Sequence, residues 1–156
     1  QAEGPRTLAA LCRAIRGEAG AGGTLLVHDA LRPFLRAGQV EEALRAAADG
    51  AACTFAVPAS RAVLASYEEG YVSGMPDPST LYFGQMPQAF SIESYLACCE
   101  GLMDDGDWVQ AEDPCRLFVR NGYPVKLLAG SEDDLCIDRP LAYRAAVAMR
   151  GELLHN

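Results

Sequence analysis

No apolar run in this chain approaches the roughly 20 residues that a membrane-spanning helix needs, and no charged-then-apolar segment of the signal-peptide kind opens it. Surplus positive charge is missing as well: 13 Lys and Arg stand against 21 Asp and Glu, for a formal net charge of −8. That balance argues against nonspecific binding to nucleic acid or to an anionic membrane, which calls for a basic surface. It leaves room for a nucleotide, which needs only a few local cations and backbone N–H groups. None of the six cysteines (Cys12, Cys53, Cys98, Cys99, Cys115 and Cys136) stands in a C-x-x-C pair, so zinc is not expected. Most lie in apolar stretches, where cysteine packs as a small hydrophobe, and they read as reduced thiols of a cytoplasmic protein. No serine sits in a nucleophile elbow, so Ser60 and His28 do not make a hydrolase pair. Asp104, Asp105 and Asp107 lack the glycine and glutamate spacing of a calcium loop and read as a solvated turn. Internal repeats and low-complexity tails are absent.

What is present is enough for one core of ordinary size: 156 residues, half of them hydrophobic. Leu8, Leu11, Cys12 and Ile15 have helical spacing over 7–16, with Gly17 as a stop. The glycines at 20, 22 and 23 form a flexible turn before a short buried strand over 24–28. Val40, Ala43, Leu44 and Ala47 make the apolar face of a second helix, and 52–57 reads as a strand ended by Pro58. Strand, helix, strand in this order predicts a parallel pair with a right-handed crossover. From Pro58 to Gly84 the composition changes, with short strand-like pieces at 61–64, 71–73 and 80–83, which predicts an antiparallel arm projecting from the core. Regular structure is expected to resume after Gln85-Met86-Pro87-Gln88. Ser91 can cap a helix with Ile92, Tyr95, Leu96, Cys99 and Met103 on one face. Asp113-Pro114 reads as an N-cap followed by proline at the first helical position, with a stop at Asn121-Gly122. Strands are expected at 125–129 and 135–137. Asp138 is expected to cap a last helix with Leu141, Ala145, Ala148 and Met149 on its buried face. The whole of 1–156 reads as a single domain with an arm at about 58–84.

The most informative segment is Val27-His28-Asp29-Ala30-Leu31-Arg32-Pro33-Phe34. A short apolar strand leads into an acid, then a base three residues on, then proline. In open α/β sheets, ligands sit outside the carboxyl ends of strands. A carboxylate released there can hold a metal ion on a nucleotide phosphate, and the arginine can hold phosphate or lock the loop. His28, inside the strand pattern, reads as structural. Asp113 reads both as a cap and as a candidate active-site acid, since a helix N-terminus also attracts anions. Gln85 and Gln88 can fix a substrate loop by hydrogen bonding, and Met86 reads as packing.

Several landmarks in order resemble the 2-C-methyl-D-erythritol 4-phosphate cytidylyltransferases and their ribitol-5-phosphate relatives. Val27 to Pro33 matches V-H-D-A-x-R-P. Ala56-Val57-Pro58 matches a strand end of the A-x-P-V kind, and Gln85 to Phe90 resembles Q-T-P-Q-x-F. Glu112-Asp113 falls where the family has Thr-Asp. Gly130, Ile137 and Pro140 fit the ending G-x-x-x-N-x-K-[IV]-T-x-P. The resemblance implies an α/β, Rossmann-like nucleotidyltransferase fold, with a mostly parallel sheet and an antiparallel arm that exchanges between the subunits of a homodimer. It implies attack by an acceptor phosphate on the α-phosphorus of CTP, release of pyrophosphate, and use of Mg²⁺. On this reading Asp29, Arg32 and Asp113 are catalytic, with Asp29 the metal ligand and Asp29 and Ala30 against the nucleotide. Gln85, Met86, Glu112 and Cys136 face a small phosphorylated acceptor, a sugar-alcohol phosphate such as methylerythritol phosphate or a related phosphate or phosphonate.

The departures concentrate at that acceptor end. Met86 and Glu112 replace threonines, Cys136 stands in place of a lysine, Asp138 replaces a threonine, and an arm arginine aligns near Pro78. Glu112 would repel a phosphate at close range by roughly a few kcal/mol at an effective dielectric of about 20. No G-x-G-x-R loop for the triphosphate occurs in the chain, and the resemblance puts that loop several dozen residues upstream of Gln1. The chain therefore reads as the C-terminal portion of such a protein. The second reading is a non-catalytic homologue that keeps the fold and the arm for binding or scaffolding.

Overall fold

Alternation of strand residues between two faces builds the core. In the computed structural model, which describes residues 12–18, 22–48, 52–105 and 113–153, four strands form one sheet in the order β1-β3-β2-β4. They are β1 (Thr24–Val27), β2 (Ala52–Pro58), β3 (Tyr82–Ser91) and β4 (Val125–Ala129). Neighbouring residues of one strand enter opposite layers, as the two-residue period requires. Ala52 and Phe90 join one cluster, while Cys53 and Ala89 join the other. The first layer holds Cys12 and Ile15 from a helical stretch over 12–18 (α1), Ile92, Tyr95, Leu96, Cys98 and Cys99 from α3 (Ile92–Asp105), and Leu117 and Phe118 from α4 (Pro114–Arg120). The second is formed by Ala43, Ala46 and Ala47 of α2 (Ala37–Ala48) against Phe55 and Leu128. The Phe90 ring packs tilted against Phe118, with centroids 4.6 Å apart, and each such fully buried aromatic ring stabilises the fold by about 1.5–3 kcal/mol.

The sheet is mixed rather than mostly parallel. β1 and β2 each pair antiparallel with β3, and only β2 and β4 pair in parallel. β1 and β2 do run in the same direction, as expected, but β3 occupies the place between them. The sequence hides β3 because Gly84 and Pro87 look like breakers, and Pro in a central strand normally argues against a ladder. Here the pairing jumps from Thr54↔Gln88 to Phe55↔Gln85, so Met86 and Pro87 face no partner on β2. β1 ends at Val27↔Gln88, so they face none there either. The missing Pro87 N–H thus costs no ladder bond, and Gln85-Met86-Pro87-Gln88 lies inside a strand rather than between elements.

Other expectations hold or shift locally. Asp113 caps α4 with its side chain, Pro114 follows, and Gly122 at φ +78° closes the helix. Tyr123 N–H donates to Phe118 O and Gly122 N–H to Val119 O, a paired C-terminal closure that the Phe118–Tyr123 ring contact covers. The pieces expected at 61–64 and 71–73 form no strands, and that part of the arm carries the isolated antiparallel bridges Ala65↔Gly74 and Glu68↔Tyr71; the piece expected at 80–83 is in part the start of β3, from Tyr82. Residues 135–137 form no strand; Ile137 N–H instead makes one bond to Leu31 O. The last helix, α5 (Pro140–Leu153), starts at the proline rather than at Asp138, whose carboxylate pairs with Arg139. Among its described side chains Ala142 and Ala146 are buried, while Leu141 and Ala145 are exposed. Asp104 and Asp105 extend α3 rather than forming a turn, and Asp107 and Glu112 lie outside the described residues.

Candidate active site

Strands β1, β2 and β4 all end at the same edge of the sheet, since β1 and β2 each oppose β3 and β4 follows β2. Three connections leave that edge: the Asp29 loop after β1, the arm after β2, and residues 130–139 after β4. This is the edge where open α/β sheets hold their ligands.

Asp29 stands two residues beyond β1, half-buried, with Ala30 exposed beside it. Its Oδ1 accepts from Leu31 N–H at 2.9 Å, and its carbonyl accepts from Arg32 N–H at 2.9 Å, which closes a tight turn. Among the described residues, Oδ2 meets only the weak thiol donor of Cys136, at 3.9 Å. His28 Nε2 donates to Arg32 O at 2.8 Å, tying the two ends of the turn, so its part here is structural. Arg32 reaches away from the turn: its Nη1 donates to Asp134 O at 2.8 Å and to Asp134 Oδ2 at 3.1 Å.

Gln88 brings the second acid to this edge. It lies opposite Val27 in the β1–β3 ladder, is almost fully buried, and donates from Nε2 to Asp113 Oδ1 at 3.2 Å. Its Oε1 accepts from Cys115 N–H at 3.2 Å, and Asp113 Oδ1 accepts from the same N–H at 2.9 Å. Asp113 is therefore a cap anchored to the strand that borders the Asp29 turn. Gln85 plays a different part. Its amide pairs in both directions with Ser131, donating to Ser131 O at 2.7 Å and accepting from Ser131 N–H at 3.0 Å. It thereby extends the sheet's hydrogen bonding past the end of β4 and fixes the 130–139 connection. Met86, between the two glutamines, is half-buried.

Asp134 and the exchange between Gln85 and Ser131 escape sequence reasoning. Asp134 sits in the acidic run Glu132-Asp133-Asp134, yet its side chain is only 2% exposed. No local signal separates it from Asp133, whose ion pair with Arg36 is open to solvent.

All six cysteines are free, in keeping with the reduced-thiol expectation. Burial pushes the Cys98 thiol up, and burial with the neighbouring Cys12 thiol pushes Cys99 up to about 12. Burial first, and then the Asp113 charge, also raises Cys115. Since the thiolate is the nucleophile, iodoacetamide at pH 8 should label Cys136 first, with the four buried thiols protected until unfolding. Peptide mapping after a time course checks this; labelling of Cys98 or Cys99 ahead of Cys136 would contradict the packing.

Among the described residues no group of three or more His, Cys, Asp or Glu is gathered to hold a metal. The donor set nonetheless fits Mg²⁺ of the nucleotide-borne kind, which uses one or two carboxylates plus substrate phosphates rather than an all-protein cage. Among the described residues, Asp29 Oδ2 has no strong partner and Asp113 engages only Oδ1.

A four-strand mixed sheet between helical layers, with a loop-borne carboxylate at its carboxyl edge and an arm inserted before the central antiparallel strand, defines an α/β fold with a candidate ligand site at that edge. Known proteins identify it. The family model described as 2-C-methyl-D-erythritol 4-phosphate cytidylyltransferase matches residues 6–151, and the chain belongs to that family. A protein of that name from Desulforamulus reducens is 31% identical over 116 residues, covering 74% of this chain and 49% of its own length. One from Symbiobacterium thermophilum is 33% identical over 120 residues, covering 77% and 50%. The crystal structure of the Thermus thermophilus cytidylyltransferase of that name superposes with a TM-score of 0.76 at 25% identity, covering 92% of this chain and 68% of that one. The Anaerococcus prevotii 4-diphosphocytidyl-2C-methyl-D-erythritol synthase gives 0.78 at 20% identity, covering 92% and 66%, a likeness of fold. The chain spans about half the length of the curated relatives it matches.

Proposed function

We propose that the full-length protein transfers CMP from CTP to a small phosphorylated acceptor of the methylerythritol phosphate class. A phosphate oxygen of the acceptor attacks the α-phosphorus of CTP, the new P–O bond forms in line, and the bond to the bridging oxygen breaks so that pyrophosphate leaves. Such reactions run on positioning and charge stabilisation more than on covalent chemistry. The observation that carries the reading is the Asp29 turn: a carboxylate with an uncommitted oxygen at the carboxyl edge of the sheet, in a chain of this family. Mg²⁺, when bound with the nucleotide, would supply neutralisation of the phosphate charge. Asp29 would hold it, with Ala30 beside the nucleotide. Arg32 keeps the turn in shape, and Gln88 orients Asp113. Met86 and Cys136 would line the acceptor end, where Cys136 brings a neutral thiol in place of a cation, while Gln85, engaged at both ends of its amide by Ser131, fixes the connection beside it.

The arm supports a homodimer. Tyr67 is 87% exposed, and Tyr71, Val72, Met75 and Leu64 also present apolar surface from this excursion, more than a solvated loop would leave open. A second copy of the chain is the occupant we propose for it. The same reading makes the protein cytoplasmic, a compartment in which six unbridged thiols persist.

Calorimetric titration of the full-length protein with CTP tests the nucleotide role. Binding is expected only with Mg²⁺, and Asp29→Asn should weaken it by about 30-fold, the loss of one charged contact. Binding that is indifferent to Mg²⁺ and to Asp29→Asn would overturn the assignment.

A further inference from the structure

We infer that Asp134 is a positioning residue, holding the Asp29 turn in its working shape through Arg32. The contacts form one chain. Asp134 Oδ2 and its carbonyl both accept from Arg32 Nη1, and Arg32 N–H donates to Asp29 O. Three residues past Asp134, Ile137 N–H donates to Leu31 O at 2.8 Å, and Leu31 N–H donates to Asp29 Oδ1. The turn is thus gripped from the 130–139 connection at a side chain and at the backbone, while Gln85 fixes that connection to β3.

Stability alone does not explain a carboxylate at this place. Asp134 is 2% exposed and its partner Arg32 16%, and an ion pair that deep commonly gives no net stability over apolar residues of the same volume. What it does supply is direction: a charge-assisted bond to a side chain with one fixed reach. The neighbouring pair Arg36–Asp133, about 60% exposed on both sides, has no such constraint and contributes little.

The inference rests on the cytidylyltransferase reading for its kinetic part only, so the test has two readouts. In the full-length protein free of nucleotide and metal, amide exchange followed by NMR reports the turn. With Asp134→Ala, the Leu31 and Ile137 amides should exchange about tenfold faster relative to those of Phe55 and Phe90 in the sheet. Asp134→Asn, which keeps a side-chain oxygen for Arg32, should stay near the wild type. Should the alanine variant fail to fold, Asp134→Leu fills the volume and carries the same expectation. In the kinetic readout, the Mg²⁺ concentration for half-maximal pyrophosphate release from CTP should rise about fivefold with alanine and return with asparagine, which mere loss of stability would not produce. Equal acceleration of turn and sheet amides, or an unmoved Mg²⁺ midpoint in an active variant, would overturn the role. A wild-type protein without pyrophosphate release, but with the expected exchange pattern, would sink the cytidylyltransferase reading and leave Asp134 as the brace of the turn.

Discussion

Arg32→Ala is expected to remove about 3–5 kcal/mol of folding stability, the usual result of deleting one partner of a buried ion pair. The reason lies with the group left behind. The Asp134 side chain is 2% exposed, Oδ1 has no hydrogen-bond partner among the described residues, and Oδ2 depends on Arg32. Without the guanidinium, a carboxylate stays in a low-dielectric position with its charge uncompensated, or must take up a proton. Urea denaturation at pH 7 measures the loss. The double variant Arg32→Met/Asp134→Leu should recover most of it, because the cost belongs to the orphaned charge and not to the absence of the pair. A loss below about 1 kcal/mol for Arg32→Ala, the range of exposed pairs, would show that water reaches Asp134 and that the pair is not buried.

Gly130→Ala is expected to cost about 2–4 kcal/mol, combining overpacking with two disturbed hydrogen bonds. A Cβ there would overlap Gln85 Oε1 and lie 3.0 Å from the Ala56 backbone carbon and oxygen. Gln85 cannot simply swing aside: it is buried, and its amide is engaged at both ends by Ser131. The backbone of β2 cannot yield either, because Gly130 N–H donates to Ala56 O at 2.9 Å at the end of the parallel ladder. The thermal midpoint should fall by several degrees, and the 130–139 connection should loosen with it. A variant as stable as the wild type would show that Gln85 has another resting place.

How far the sequence reveals this protein depends on the range of the interactions concerned. Asp113-Pro114 and Asn121-Gly122 delimit α4 correctly because caps are local chemistry, written within a few residues. The segment Val125–Ala129 is a strand as expected. β3 is not legible: its Gly84 and Pro87 look like turn residues until the partner strand is known to skip Met86 and Pro87. The mixed sheet follows from that one strand, so the expectation of a mostly parallel sheet fails with it. On α5 the helical period is legible but the buried face is not, since which of several apolar stripes is buried depends on what the helix packs against.

The candidate site divides the same way. The Asp29 turn is visible as a motif, because strand, acid, base and proline are contiguous in the chain. Its brace is not: Arg32 and Asp134 are 102 residues apart, and Asp134 resembles its solvated neighbours in everything but its surroundings. Gln85 and Gln88 read from the sequence as residues that fix a loop by hydrogen bonding. In the structure their side chains bond to different segments: Gln85 to Ser131, Gln88 to Asp113 and Cys115.

The central claim is tested most directly by pyrophosphate release from the full-length protein, with each of the four nucleoside triphosphates, Mg²⁺ and a panel of acceptors that includes methylerythritol phosphate, other polyol phosphates and phosphonates. Release with CTP and one phosphorylated acceptor, lost in Asp29→Asn, is the predicted result. A folded, dimeric protein that stays silent across the whole panel would contradict it and point instead to a homologue that keeps the fold for binding alone.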